Sequence, residues 1–304
     1  MRTARRKSSE AAFYHLFTRV AGPLKYFPLI HPEARRKLIE LLYHYTSIYC
    51  CVLVSFEIMG NHYHLILWMQ KYRRLARAEL RRRAKLLWGS RAELHTASWC
   101  DEAWERFNRK LFDLSALMQH LNGEYAKWHN RRFNRRGHFW ADRFQNPELL
   151  DLKAVQDCLC YVETNALRAR LVDHPQQWEA SSAWMRCSGR TRGLMPIERI
   201  FAEVPPSEAF TTYRRRLHDA ALVCKGFFPH LGSSPESTPP TNPLWCRTRQ
   251  RFFSDGIAIG SRPQVDRVLQ EFQFQGHYLR RKQPIPQLHG RLHTLREQRS
   301  HARE

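Results

Sequence analysis

Along the chain, apolar positions switch between a period of two and spacings of three and four. Residues 12–20 read as a first strand. A helix follows, opened by His31-Pro32 and carrying Leu38, Leu41, Leu42 and Tyr45 on one face. Residues 48–56 form a second strand. The apolar, β-branched run from Val52 to Leu67 breaks near Met59-Gly60, so a third strand follows it directly. Residues 70–100 are polar and basic, with Arg73, Arg74, Arg77, Arg81, Arg82, Arg83 and Lys85, and predict a helical excursion with a solvated face. The next helix covers about 113–131, on the stripe Leu114, Leu117, Met118, Leu121, Tyr125 and Trp128. A basic exit loop, 131–136, leads through Gly137 to a fourth strand at 138–144. Asp151 is a good N-cap for a further helix with the core stripe Leu152, Val155, Leu159, Val162 and Ala166.

The order strand, helix, strand, strand, helix, strand predicts an α+β fold. The expected unit is a ferredoxin-like (RRM-like) antiparallel sheet with helices on one face, plus a basic C-terminal extension. Residues 1–185 would form this domain, 186–243 a helical segment and linker, and 244–304 a basic C-terminal module with a disordered tail. Within these, 196–204 and 207–223 read as short helices and 226–243 as a Ser- and Pro-rich loop. Ser261 would cap a helix over 263–272, and the tail from 280 to 304 is expected to be disordered without DNA.

Charge changes the picture. Fifty Lys and Arg residues against 28 Asp and Glu give a net charge of +22, which favours polyanionic partners. An aromatic content of 12% offers platforms for unpaired bases. The 8 cysteines contain no C-x-x-C pair, so no zinc ribbon or finger is indicated. The basic N-terminus lacks the apolar segment of a secretory signal, and no stretch is long and apolar enough for a bilayer. A cytoplasmic protein with reduced thiols is expected.

Two groups of residues carry candidate chemistry. In a strand, His62 and His64 share one face while Tyr63, Leu65 and Leu67 take the other. Two neutral imidazoles one pleat apart can hold one divalent ion. A bare His-x-His also marks ordinary surface histidines. On the last helix, Ala154, Cys158, Tyr161 and Asn165 form a second stripe, and Tyr161 and Asn165, four apart, are neighbours on one face. A phenol and a carboxamide there could equally hydrogen-bond an adjoining element.

Three motifs stand in order: Gly60-Asn61-His62-Tyr63-His64-Leu65, then 136–144 (RGHFWADRF), then 161–172 (YVETNALRARLV). Together they resemble the single-tyrosine transposases of the His-hydrophobic-His (HUH) endonuclease superfamily, especially the REP-associated tyrosine transposases. The resemblance covers most of residues 10–185; 251–261 (RFFSDGIAIGS) is also similar to a stretch of longer members. Ala166-Leu167 and Arg170 depart from the Pro-Val and Gly commoner in the family.

The resemblance implies that His62, His64 and Asn165 bind Mg²⁺ or Mn²⁺. It implies that Tyr161 attacks the scissile phosphate of single-stranded or hairpin DNA, leaving a 5′-phosphotyrosine and a free 3′-hydroxyl. Arg131, Arg132, Arg135, Arg136, Arg143 and Arg168 are the expected DNA contacts. It implies a nucleoid-associated protein and is compatible with a homodimer. Two other readings stay open: a domesticated, non-catalytic DNA-binding protein on the same fold, and a basic RNA-binding protein. Residues 186–304 would add affinity and substrate selection without chemistry, so that a fragment ending near Met185 would keep weak cleavage.

Overall fold

A computed structural model of the protein describes residues 8–23, 25–224, 252–274, 283–288 and 290–296. In chain order the elements are β1 (Ala12–Arg19), α1 (Pro32–Ile48), β2 (Cys51–Ile58), β3 (His62–Met69), α2 (Arg77–Trp88), α3 (Ala92–Thr96), α4 (Asp101–Leu111) and α5 (Leu114–Arg132). They continue with β4 (Glu148–Leu149), α6 (Leu152–Glu163), α7 (Asn165–Arg168), α8 (Ser182–Cys187), α9 (Ile197–Ile200) and α10 (Pro206–Cys224). Last come α11 (Phe252–Asp255), β5 (Gly256–Gly260), α12 (Arg262–Phe274), β6 (Ile285–Gln287) and β7 (Leu292–Arg296). Local chemistry sets the helix starts. Pro32 occupies the first turn of α1, where its missing N–H costs nothing. The Asp113 carboxylate accepts from the amides of Ser115 and Ala116, and that of Asp151 from Ala154.

The strands form one sheet in the order β2-β3-β1-β4-β5-β7-β6. β3 pairs antiparallel with both β1 and β2, so β1 and β2 run parallel with β3 between them. β4 is antiparallel to β1 and parallel to β5. On one face Tyr14, Leu16, Tyr63, Leu65 and Leu67 pack with Leu38 and Leu42 of α1 and Leu117, Leu121 and Tyr125 of α5. On the other, Phe13, Val54, Ile66 and Trp68 pack with Val155, Leu159 and Val162 of α6 and with Tyr213 and Leu217 of α10. Helices therefore cover both faces, which corrects the expectation of helices on one. Apolar side chains on both faces of the strands require cover on both.

The segment 138–144 is not a strand. Isolated bridges join Trp140 to Val20, just past β1, and Gln145, just past the segment, to Phe17, and the ladder partner of β1 is the short β4. Successive side chains Phe139 and Trp140 both enter the core cluster around Tyr125, with ring centroids 5.3 and 5.6 Å from it. A strand would send them to opposite faces. The Trp140 indole also donates to the Asn122 carbonyl at 2.9 Å.

Residues beyond 185 share the same sheet and core. The Met195 amide donates to the Leu53 carbonyl at 2.7 Å, and Arg186 donates to that of Val54 at 2.7 Å. β5 extends the sheet from β4, and β6 and β7 form within the part of the tail expected to be disordered. The loop expected over 226–243 lies outside the described residues, as does most of the remaining tail. Among the described residues no helix is long and apolar enough to cross a membrane.

α7 ends in a left-handed turn. The Leu171 amide donates to the Ala166 carbonyl at 2.9 Å and that of Arg170 to Leu167 at 2.9 Å, while Arg170 takes φ +58°. This pair of bonds closes a helix around a residue that is usually glycine. Arg170 is exposed and occupies a conformation costly for a residue with a Cβ. Arg170→Gly is expected to raise the unfolding free energy by about 0.5–1 kcal/mol, after the larger chain entropy of glycine is set against the relieved strain. Urea denaturation of the two proteins checks this, and a less stable variant would contradict it.

Candidate active site

The β1–β3 register pairs Arg19 with His62 and Phe17 with His64, and β2 sets Glu57 opposite His64. Opposed residues share a face, so His15, Phe17 and Arg19 of β1 and Glu57 of β2 join the two histidines on the side covered by α6. The His62 and His64 ring centroids are 5.2 Å apart. Phe17 lies 5.5 Å from His62 and 4.9 Å from His64. His62 is half-buried and holds Nδ1 2.8 Å from the Asn61 side-chain oxygen. That oxygen accepts, so Nδ1 carries the proton and Nε2 the lone pair. Burial pushes the pKa of His62 down to about 4, with the Arg19 and Arg168 charges adding. Burial likewise pushes His64 well below the ordinary range, helped by His15 and His62. Both rings are neutral at physiological pH, the form that binds metal.

α6 brings Tyr161 to this face, its ring 5.6 Å from that of His64 and 5.9 Å from that of His15. The Phe253 ring stacks on Tyr161 at 4.9 Å and 30°. α6 then stops. The Thr164 hydroxyl donates to the Cys160 carbonyl at 2.7 Å, and its backbone leaves helical geometry at φ −109°, ψ 7°. Tyr161 and Asn165 therefore sit on two helices that meet at a corner, which corrects the single helix the spacing predicts.

Arg168 braces this corner. It donates to the Tyr161 carbonyl and to the Asn165 Oδ1, each at 2.7 Å, and to the Thr164 hydroxyl at 3.1 Å. Its guanidinium lies 4.4 Å over the Tyr161 ring. The buried Nδ2 of Asn165 has no hydrogen-bond partner. Glu163 anchors the end of α6, accepting from Tyr213 at 2.7 Å, Ser182 at 2.6 Å and Ser55 at 3.1 Å. Glu57 accepts from the Ala166 amide at 2.6 Å, and burial raises its carboxyl well above the usual carboxylate range.

The other arginines divide by environment. Arg131, Arg136 and Arg143 are exposed. Arg132 pairs with Glu33 at 2.7 Å, and Arg135 donates to the Ala21 carbonyl at 3.2 Å with its guanidinium over Tyr26. Arg19, exposed and on the His62 face, escaped the sequence reading, as did His15 and Phe253. Period-two alternation from Arg19 would have marked His15 once the β1–β3 register was known. Phe253 lies in the 251–261 stretch singled out by resemblance, but nothing in that stretch pointed to a place beside Tyr161.

No family model matches the chain, and no curated relative does. Among solved structures, the chain is similar to a REP-associated tyrosine transposase bound to a REP hairpin, with 13% identity over 64% of this chain and 89% of that one and a TM-score of 0.40.

The buried histidines make stability depend on pH. An unfolded histidine protonates near 6.5, whereas His15 and His62 resist protonation to about 4. The unfolded chain then binds more protons as pH falls from about 6.5 to about 4, so their contribution is lost across that window. Urea midpoints are expected to fall from pH 7 to pH 4.5, and less steeply in His62→Gln. Equal slopes for the two proteins would contradict the assignment.

Proposed function

We propose that the protein is a metal-dependent endonuclease and strand transferase for single-stranded DNA, a tyrosine transposase acting at DNA hairpins through a 5′-phosphotyrosine. The observation that carries this reading is the meeting of two neutral imidazoles with a tyrosine ring 5.6 Å from one of them. Among the described residues, no group of three or more His, Cys, Asp and Glu is arranged to hold a metal ion, so the third donor has to come from another residue type.

The donor types suit a divalent ion. His62 keeps its proton on Nδ1 through Asn61, which leaves Nε2 to donate its lone pair. Ring centroids 5.2 Å apart allow both imidazoles to reach one ion at ordinary bond lengths. The Asn165 Oδ1 has a second lone pair beyond the one engaged by Arg168. His62, His64 and Asn165 would hold Mg²⁺ or Mn²⁺, which when bound polarises the phosphate and stabilises its developing charge.

The chain's own groups do the rest. The Tyr161 oxygen attacks phosphorus and the bond from phosphorus to the 3′ oxygen breaks. The phenol gives up its proton, and the departing 3′ oxygen takes one. Arg168 and Phe253 both pack on the phenol ring and restrict it, favouring a single line of attack. Arg131, Arg136, Arg143 and Arg19, all exposed, are free to contact phosphate, and of these Arg19 stands on the face of the two histidines. Arg132, Arg135 and Arg168 have internal partners and contribute less to DNA affinity.

The test is incubation of the protein with a hairpin oligonucleotide carrying a single-stranded flank, with Mg²⁺ or Mn²⁺. Wild type is expected to form a covalent adduct that maps to Tyr161. Tyr161→Phe is expected to bind the oligonucleotide and form none, and His62→Ala and His64→Ala to lose cleavage while keeping most affinity. An adduct on another tyrosine, such as the buried Tyr125, would sink the assignment of the nucleophile. Tight hairpin binding without an adduct in either metal would favour the non-catalytic DNA-binding reading, and tighter binding of RNA the third.

A further inference from the structure

His15 sits in the middle of β1, fully buried, directly behind His64. The two rings lie edge to edge in nearly one plane, their centroids 5.1 Å apart and their planes 9° from parallel. His15 Nε2 is 2.9 Å from His64 Nδ1, and His15 Nδ1 is 2.7 Å from the backbone oxygen of Phe253. A carbonyl oxygen only accepts, so His15 carries its proton on Nδ1. Its two partners, a carbonyl oxygen and an imidazole nitrogen, leave no counter-charge for a second proton on a fully buried ring, so Nε2 accepts. The one proton arrangement that makes both bonds has His64 donating from Nδ1. The lone pair of His64 is then on Nε2, turned away from His15.

We propose that His15, backed by the Phe253 carbonyl, is a positioning residue that fixes His64 in the tautomer offering Nε2 to a divalent cation. This rests on the reading of His64 as a metal ligand. Free neutral histidine favours the opposite tautomer, with the proton on Nε2, so an unassisted His64 would first have to shift its proton. An oriented partner on the far nitrogen of a metal-binding histidine removes that cost and holds the ring in place. The relay starts on β1, ends on α11, 238 residues away in sequence, and meets Tyr161 through the Phe253 ring. One downstream residue thus supports both the ligand and the nucleophile.

The test uses the full chain, His15→Phe and His15→Gln, with thermal unfolding to establish that each variant folds. Phenylalanine keeps a planar ring and removes the acceptor. Glutamine places an amide oxygen where Nε2 was. The first readout is the tautomer of His64 in metal-free protein, from side-chain ¹⁵N shifts. Wild type is expected to carry the proton on Nδ1, and His15→Phe to move it at least in part to Nε2. The second readout is Mn²⁺ affinity by calorimetry, expected to fall about 10–100-fold in His15→Phe and to recover in His15→Gln. A wild-type proton on Nε2, or a His15→Phe variant unchanged in both readouts, would overturn the proposal. His64→Ala separates the two ideas. If it binds Mn²⁺ like wild type, the metal-ligand reading fails, and the tautomer measurement still decides the role of His15.

Discussion

The eight-residue ladder between β1 and β3 decides which side chains can meet. Its register, from Ala12 opposite Met69 to Arg19 opposite His62, places His15, Phe17, Arg19, His62 and His64 on one face and Tyr14, Leu16, Tyr63, Leu65 and Leu67 on the other. A slip of one residue would exchange the two sets, driving imidazoles into the α1–α5 core. Tyr63 resists such a slip. It is fully buried, and its hydroxyl donates to Asn122 at 2.5 Å, a partner present only on the α5 side. The apolar face thus stabilises the polar one by holding the phase of the strand.

β2 obeys the same logic with one interruption. Its register with β3 shifts between Leu53 and Ser55. Val54 packs with α6, and after the shift Phe56 and Ile58 join the α1–α5 core. Ser55 and Glu57 instead turn toward α6 and α7, where they meet Glu163 and the Ala166 amide. A bulge re-aims side chains locally, and here it changes an apolar strand into a polar support for the corner between two helices. Buried polar groups that satisfy one another are stabilising as a set and costly singly. The corner carrying Tyr161 and Asn165 is therefore held by hydrogen bonds from β2, α8 and α10 rather than by apolar packing alone.

The helices α1, α5, α6 and α10 and the strands β1 to β3 were legible because each has a strong period or a capping residue. So was the shared face of His62 and His64, a direct consequence of alternation. The false strand at 138–144 shows the limit. Phe139 and Trp140 read as strand formers, yet aromatic packing around Tyr125 takes both. Sequence spacing could not reveal that Thr164 would end α6 between Tyr161 and Asn165, because its hydroxyl competes for the Cys160 carbonyl only in the formed helix. Nor could it separate arginines that face solvent from Arg168, whose partners lie within seven residues but depend on the same break.

The downstream region changes meaning for the same reason. It holds basic clusters and no motif that matches the candidate catalytic ones, so an account by motif assigns it only affinity. The sheet order states otherwise. β1 is bonded to β4, and β4 to β5, so the chain entering β5 through α11 passes beside β1. That path sets the Phe253 carbonyl against His15 and its ring against Tyr161. A fragment ending near Met185 would lose the acceptor behind His15, one side of the phenol ring and the Tyr213 bond to Glu163 together. Such a fragment would therefore hold an incomplete site even though His62, His64, Tyr161 and Asn165 all remained.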